Sequence, residues 1–400
     1  MSTFDGPIRE IPGISVDRFD GENLKSSVFF LSHCHTDHMQ GLENVQFQKK
    51  LVLENKYLYL STVSAVILRV LYPGLTRQIK ELPLEQGTSI ELESSMYISV
   101  TCIPAGHCPG SVMFLFETDK IRILYTGDYR IHAHDITKFR CFYDVFGIVK
   151  SINKIYLDTT FFLESYRSFP KRETSLSELC NVILQWTSQH PKNSIKLNFC
   201  GRYGYEYVFT EIYKVCKMQV HVNKEKFQFC SVIPEMDRCV TTNGSSTQIH
   251  SCYCPSNDIL YNHDIHKVKT VKLSAFRWKN RDFNNSGVSE FAEDGILYIC
   301  YSTHASYEEG LALLDFLKPN AVHVCVDRPK DPITNANIRK LIDKQLNKDK
   351  PQNKLVEVPM LFDVVTEVQI GSSIDISKCE PEVSSSLKTF KNDNILDSPP

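Results

Sequence analysis

Residues 28–38 read Val28-Phe29-Phe30-Leu31-Ser32-His33-Cys34-His35-Thr36-Asp37-His38, an apolar run of strand length that meets three imidazoles and a carboxylate within six positions. If residues 28–31 form a buried strand, the polar cluster lies in the loop at its end, where a turn can aim alternate side chains inward. Any one of these histidines alone would most simply be a surface imidazole. The crowded set reads differently. Neutral imidazole suits zinc and a carboxylate suits harder cations, so a mixed set from one loop fits two adjacent metals better than a closed structural site.

The same arrangement recurs along the chain. After the turn Pro12-Gly13, Ile14-Ser15-Val16 reads as a strand ended by Asp17. Residues 97–103 read as a strand that ends in Pro104-Ala105-Gly106-His107-Cys108-Pro109-Gly110-Ser111, with His107 at the loop tip. Residues 112–116 and 121–125 read as a hairpin, and its second strand runs into Asp128. Ile155-Tyr156-Leu157 leads to Asp158, and residues 296–300 deliver His304, followed by an amphipathic helix over 308–317. His33, His35, Asp37, His38, His107, Asp128 and His304 therefore offer donors enough for two neighbouring metals. Asp17 or Asp158 in isolation would more often be a helix cap or a surface charge. At strand ends beside ligand loops both are expected to orient histidine ligands.

The interior of the chain has another character. From about 160 to 295 a helix opened by Pro170-Lys171-Arg172-Glu173, with Leu176, Leu179, Val182, Ile183 and Trp186 on one face, precedes the strand Ile195-Lys196-Leu197-Asn198-Phe199. This reads as an inserted α/β cap. Residues 337–350 read as a solvated helix, and the Ser384-Ser385-Ser386 run and Pro399-Pro400 ending mark residues beyond 371 as a disordered tail.

With 400 residues the chain is long enough for two packed domains, or for one large domain carrying an insertion. The formal charge of −2 gives no global attraction to nucleic acid, so any such binding needs a local basic surface. A candidate is Lys267-Val268-Lys269 through Lys272, then Phe276-Arg277-Trp278-Lys279-Asn280-Arg281, where cations meet phosphates and an aromatic stacks on an unpaired base. A solvated strand edge accounts for the same charges equally well. There are 14 Cys, no basic-then-apolar leader follows Met1, and no run approaches the ~18 apolar residues of a membrane span. The expectation is reduced thiols serving mostly as small core residues, with metal ligation the exception.

The H-x-H-x-D-H run after a strand resembles the metallo-β-lactamase superfamily, whose members use the first two His for one metal and the Asp-His pair for the other. With Asp17, His107, Asp128, Asp158 and His304 added, the chain resembles the β-CASP nucleases over roughly residues 10–370. The fold so implied is α/β, a metallo-β-lactamase αββα sandwich with an inserted α/β β-CASP cap. It divides the chain into 1–159 and 296–370 for the sandwich, 160–295 for the cap and 371–400 for the tail. In the implied scheme His33, His35 and His107 hold one metal, Asp37, His38 and His304 hold the other, and Asp128 bridges. Zinc is the implied ion, with magnesium or manganese as alternatives in activity, and Asp37, Asp17, Asp158 and His304 are the implied catalytic set.

His107-Cys108-Pro109-Gly110-Ser111 and Leu157-Asp158-Thr159-Thr160 resemble the DNA-acting members, since RNA-processing relatives usually carry Glu at the position of Asp158. Within that group, Ser15-Val16-Asp17-Arg18-Phe19-Asp20, Tyr203-Gly204-Tyr205-Glu206-Tyr207 and His221-Val222-Asn223-Lys224 resemble the end-joining branch. The resemblance implies a monomeric nuclear endonuclease, with 5'-3' exonuclease activity as a further option and no membrane contact. Its implied work is opening DNA hairpins and trimming overhangs at single-strand to double-strand junctions, with the DNA-dependent protein kinase and end-joining factors as partners. The rival readings are an RNA-processing β-CASP nuclease, a small-molecule hydrolase such as a thioester hydrolase, and a non-catalytic scaffold for DNA ends. The same branch carries a cap zinc held by two His and two Cys, and His221, His250 and Cys252 match three of those positions. His250 and Cys252 are two apart and share one side of an extended segment. The fourth ligand has no direct counterpart, and Cys254, His263 and His266 are the candidates to replace it. The plain alternative is buried thiols and surface imidazoles.

Overall fold

Alternation of side chains along short strands sets the layers. In the computed structural model, residues 2–348 are described apart from 93–95, 200–202, 235 and 252–267. The strands β1 (Ile14–Val16), β2 (Val28–Phe30), β3 (Leu58–Ser61) and β4 (Ile79–Leu82) form a parallel sheet in that order. Parallel sheets need both faces covered. Phe29, Leu58 and Leu60 turn to one face, against Phe47 and Leu51 of α1 (Val45–Leu53) and Ala65 and Leu68 of α2 (Thr62–Leu71). Phe30 and Tyr59, one residue out of phase, turn to the other face, where Phe30 meets Phe114 and Phe116 at ring separations of 5.3 and 5.0 Å. The Ser61 side chain caps α2 by accepting from the Ser64 N–H.

A second sheet supplies the rings facing Phe30. It begins with β5 (Gly87–Glu91), β6 (Tyr97–Pro104), β7 (Val112–Glu117) and β8 (Arg122–Tyr125), paired antiparallel, and β9 (Lys154–Leu157), parallel to β8. Cys102, Phe114, Phe116, Ile123 and Tyr125 point at the first sheet, while Ile103, Met113, Leu115, Leu124 and Ile155 point away from it. After the short α3 (Ala133–Ile136) and the return to β9, the chain leaves this sheet to build a third. That sheet contains β10 (Ser194–Asn198), β11 (Val220–His221), β12 (Val240–Thr241), β13 (Ile249–His250), β14 (Val268–Ser274), β15 (Ser289–Phe291) and β16 (Leu297–Cys300), in the order β12-β11-β13-β10-β14-β16-β15. The helices α4 (Arg172–Gln189), α5 (Glu206–Cys216) and α6 (Lys224–Cys230) accompany it. The chain then returns through α7 (Tyr307–Leu317) to β17 (Ala321–Val324), which pairs in parallel with β9 and completes the order β17-β9-β8-β7-β6-β5.

Two expectations are corrected here. The helix expected over 337–350 is present but not wholly solvated: α8 (Pro332–Leu346) starts earlier, capped by the Asp331 side chain, and buries Ile338 and Ile342 in one cluster with Leu313, Leu314 and Leu317. Its apolar stripe is narrow, and the many Lys and Asp residues masked it. Trp278 offers no face to a base, because it is 3% exposed and packs with Phe161, Phe169, Ala275 and Cys300. Several cations of the basic run are likewise engaged. Lys269 lies over the Trp186 ring, Lys272 over Tyr298, and Arg277 both over Tyr298 and against Glu290. Among the described residues no helix is long and apolar enough to cross a membrane. The expected tail and the ligand candidates Cys252, Cys254, His263 and His266 lie outside the described residues.

Because β6 and β8 are both antiparallel to β7, they run the same way, and β9 runs with β8. Their C-terminal ends share one edge of the sheet, which is where His107, Asp128 and Asp158 follow in sequence.

Candidate metal centre

The local backbone explains how each side chain reaches the centre. Asp17 sits just past β1 with φ +56°, a left-handed conformation that Asp tolerates better than most residues. Its buried carboxylate accepts four hydrogen bonds: from the Ser32 N–H at 2.7 Å, the Ser32 hydroxyl at 2.6 Å, the Tyr125 hydroxyl at 2.8 Å and His38 Nδ1 at 2.7 Å. The loop after β2 closes into a short turn over Thr36–His38, which brings His38 back beside His33, their ring centroids 4.1 Å apart. Gly127, with φ +49°, lets Asp128 approach, since a Cβ there would meet the Ser32 hydroxyl at 2.8 Å. His107 is held by its loop, where the Ser111 hydroxyl oxygen accepts from the backbone N–H groups of His107 and Cys108 at 3.0 and 3.1 Å.

Five imidazoles then converge. His35 Nδ1 is 3.0 Å from Nε2 of His33 and 3.0 Å from Nε2 of His107. Asp128 Oδ2 lies 3.7 Å from His33 Nε2, 3.5 Å from His107 Nε2 and 3.9 Å from His304 Nδ1, and Oδ1 lies 3.3 Å from His38 Nε2. In four of these rings the outward nitrogen has an oxygen to donate to. His38 Nδ1 faces Asp17, His107 Nδ1 faces the Thr303 carbonyl at 2.9 Å, and His35 Nε2 faces the Tyr203 carbonyl at 2.9 Å. His33 Nδ1 faces the Ser32 hydroxyl at 2.9 Å, whose own proton goes to Asp17. An N–H donated outward fixes the tautomer and leaves the inward nitrogen as a lone pair. Lone pairs crowded at these distances repel one another unless a cation lies between them. His38 Nε2 is likewise buried with no hydrogen-bond partner, 3.3 Å from Asp128 Oδ1. The donor set therefore fits a metal ion.

The electrostatics follow the same geometry. Burial, followed by the neighbouring rings, holds His33 and His107 well below the usual imidazole range, and burial lowers His35. Burial also opposes a charge on His38, but Asp128 and Asp17 outweigh it and hold His38 well above that range. Asp128 is pushed up by burial and pulled further down by His38 and His304, ending well below the usual carboxylate range.

The remaining site residues are placed as follows. Asp37, its side chain 21% exposed, has Oδ2 at 3.9 Å from His38 Nε2 and accepts the Ser2 N–H at 2.8 Å. Asp158 Oδ2 accepts from His304 Nδ1 at 2.8 Å, while its Oδ1 takes the N–H and hydroxyl of Thr160. Three ligand-like groups result: His33, His35, His107 and Asp128; Asp17, His33 and His38; and Asp128, Asp158 and His304. His221 and His250 stand apart in the third sheet as register partners on β11 and β13, with their Nδ1 atoms 3.1 Å apart. Sequence reasoning overlooked Ser32, Tyr203 and Thr303. Ser32 was legible as the hydroxyl next to His33, but Tyr203 and Thr303 act through backbone carbonyls, which any residue carries. The centre opens into a cleft of about 570 Å³ bounded by His35, Asp37 and His304 on one side and by Tyr203, Tyr205 and Phe229 on the other.

No family model matches the chain. Curated proteins do, and they define its class: the chain is homologous to proteins of the metallo-β-lactamase/β-CASP class and has their fold. The relatives are, in particular, Artemis proteins. That of Danio rerio is 36% identical over 339 residues, covering 80% of this chain and 52% of the relative, and that of Homo sapiens is 35% identical over 339 residues, covering 80% and 48%. DNA cross-link repair 1A protein of Mus musculus is 27% identical over 334 residues, covering 78% and 30%. The chain thus spans about half the length of the Artemis proteins it matches.

Proposed function

We propose that the chain is a metal-dependent DNA nuclease that hydrolyses phosphodiester bonds. In this reading it opens hairpins and trims overhangs during double-strand break repair by non-homologous end joining in the nucleus. The carrying observation is the ring of inward imidazole nitrogens around Asp128, each with its outer N–H tied to an oxygen. His33, His35 and His107 would hold one ion and Asp37, His38 and His304 a second, with the Asp128 carboxylate available to both. Imidazole-rich donors favour zinc, with magnesium or manganese as alternatives in turnover. When bound, such ions lower the pKa of water and stabilise charge on the attacking and leaving oxygens at phosphorus. The chain's own residues do the holding: Asp17 fixes His38, Asp158 fixes His304, and the third sheet lends Tyr203 to His35. Residues 160–295 are the proposed β-CASP insertion between the sandwich segments 1–159 and 296–370, with one correction from the pairing of β16 (Leu297–Cys300) into the third sheet: the chain returns to the sandwich after Cys300 rather than at 296. The DNA-dependent protein kinase and end-joining factors are the proposed partners.

The test incubates the purified chain with a labelled DNA hairpin, an RNA strand and a thioester, each with and without chelator. Chelator-sensitive cleavage of the hairpin is expected. DNA binding is expected to weaken steeply with salt despite the formal charge of −2, because phosphate contacts release counterions. Faster hydrolysis of RNA or thioester, or a flat salt response, would count against a DNA nuclease.

A structural zinc in the third sheet belongs to the same reading. His221 and His250 are adjacent in register, and Cys252 follows two residues later. Replacing Cys252 by Ser in the full chain is expected to remove about one zinc per chain and to lower the melting temperature, because structural zinc binding is folding energy. Unchanged zinc content and melting temperature would show that the site is not used.

A further inference from the structure

We propose that Phe276 is a stacking platform for an unpaired nucleobase beside the candidate metal centre, a subsite that rests on the nuclease reading above. A single exposed phenylalanine needs no explanation by itself. Phe276 differs in its surroundings. It is 63% exposed, whereas Trp278, in the same short turn, is 3% exposed. The turn therefore buries one aromatic and leaves the other out.

The exposed ring is also firmly backed. Its centroid lies 4.8 Å from that of Phe161, which is 2% exposed, and Phe161 lies 6.1 Å from the His304 ring. Phe276 is thus two ring contacts from a candidate metal ligand. Phe161 packs in turn on Tyr166 and Phe169 at 4.8 and 5.0 Å. The Tyr166 hydroxyl donates to the Phe276 carbonyl at 3.2 Å, and the Asn280 N–H donates to the Ser165 carbonyl at 2.6 Å. Both bonds tie the turn to the segment that follows Asp158. A ring fixed in this way loses little freedom when a base lies on it.

A cation braces the segment beneath the ring. The Arg328 guanidinium donates to the carbonyls of Thr159 and Thr160, just past Asp158, and its other terminal nitrogen is buried without a hydrogen-bond partner. An exposed aromatic face on a fixed support is an element on which single-stranded nucleic acid stacks its bases without its sequence being read. The occupant expected is a base already free of its partner, as in an overhang or the tip of a hairpin, because a paired base has no face to offer.

The experiment compares cleavage and equilibrium binding of an overhang DNA with its analogues carrying one abasic site at each nucleotide around the cut. The wild-type chain should favour the intact strand by roughly 5- to 150-fold at one position. Phe276→Ala should erase that preference while the chain stays folded, with at most a small drop in melting temperature from the lost contact with Phe161, and Phe276→Trp should keep it. Preservation of the wild-type preference in Phe276→Ala, or an equal loss on intact and abasic strands, would overturn the platform while leaving the nuclease reading in place. A wild-type chain that neither binds nor cuts any of these DNAs would overturn both.

Discussion

Asp128→Asn is expected to abolish detectable DNA cleavage and to strip metal from the site while the protein stays folded. The substitution keeps the side-chain shape and removes the charge. Asp128 is 7% exposed and sits within 3.9 Å of His33, His38, His107 and His304, more candidate ligands than any other site residue approaches. Loss of a partner that only orients a ligand costs about 10- to 100-fold in affinity or activity. Loss of the shared carboxylate should exceed that range. Asp17→Ala should fall within it but cost stability as well, because Ser32, His38 and Tyr125 would each lose a buried acceptor. Asp37→Ala, at a partly exposed position, should lose cleavage with little effect on folding. Metal content by mass spectrometry, chelator competition and thermal melting separate these cases. Near-normal cleavage by Asp128→Asn with full metal content would sink the shared-carboxylate assignment.

The centre was legible because its chemistry is written in contiguous residue types. His33, His35, Asp37 and His38 stand within six positions, and His107, Asp128, Asp158 and His304 each follow a strand-like run. Period-two alternation was equally readable, since Phe29 and Phe30 go to opposite faces of the first sheet. What sequence could not show was contact supplied by backbone. The carbonyls of Tyr203 and Thr303 fix His35 and His107, yet nothing in a tyrosine or a threonine announces a carbonyl's direction. Nor could composition tell Trp278 from Phe276: both are aromatic neighbours in a basic run, and only the packing of Phe161, Phe169 and Cys300 decides which is buried. The buried face of α8 was hidden for a related reason. Two isoleucines four residues apart, at 338 and 342, are a weak signal among charges.

Gly204→Ala is expected to weaken metal binding from a position in the third-sheet segment, without touching any ligand's chemistry. Gly204 has φ +111°, outside the range that residues with a Cβ readily adopt. A Cβ built there would lie 3.0 Å from His35 Nε2 and 3.3 Å from its neighbouring ring carbon. That nitrogen is the one that donates to the Tyr203 carbonyl, so the added methyl presses on the bond that orients the ligand. The loop has little room to retreat. The Glu206 carboxylate accepts the Gly204 N–H at 2.7 Å, and the Tyr203 hydroxyl donates to the Pro109 carbonyl in the His107 loop. Either His35 rotates away from the other imidazoles or the turn detaches from Glu206. In the first case metal affinity should fall about 10- to 100-fold, the range for lost ligand orientation. In the second, backbone strain should cost roughly 1–3 kcal/mol of stability. Chelator competition reads the first and denaturant unfolding the second. An affinity and a stability both equal to wild type would mean that this segment does not hold His35 in place, and that the metal centre is built by the two sandwich sheets alone.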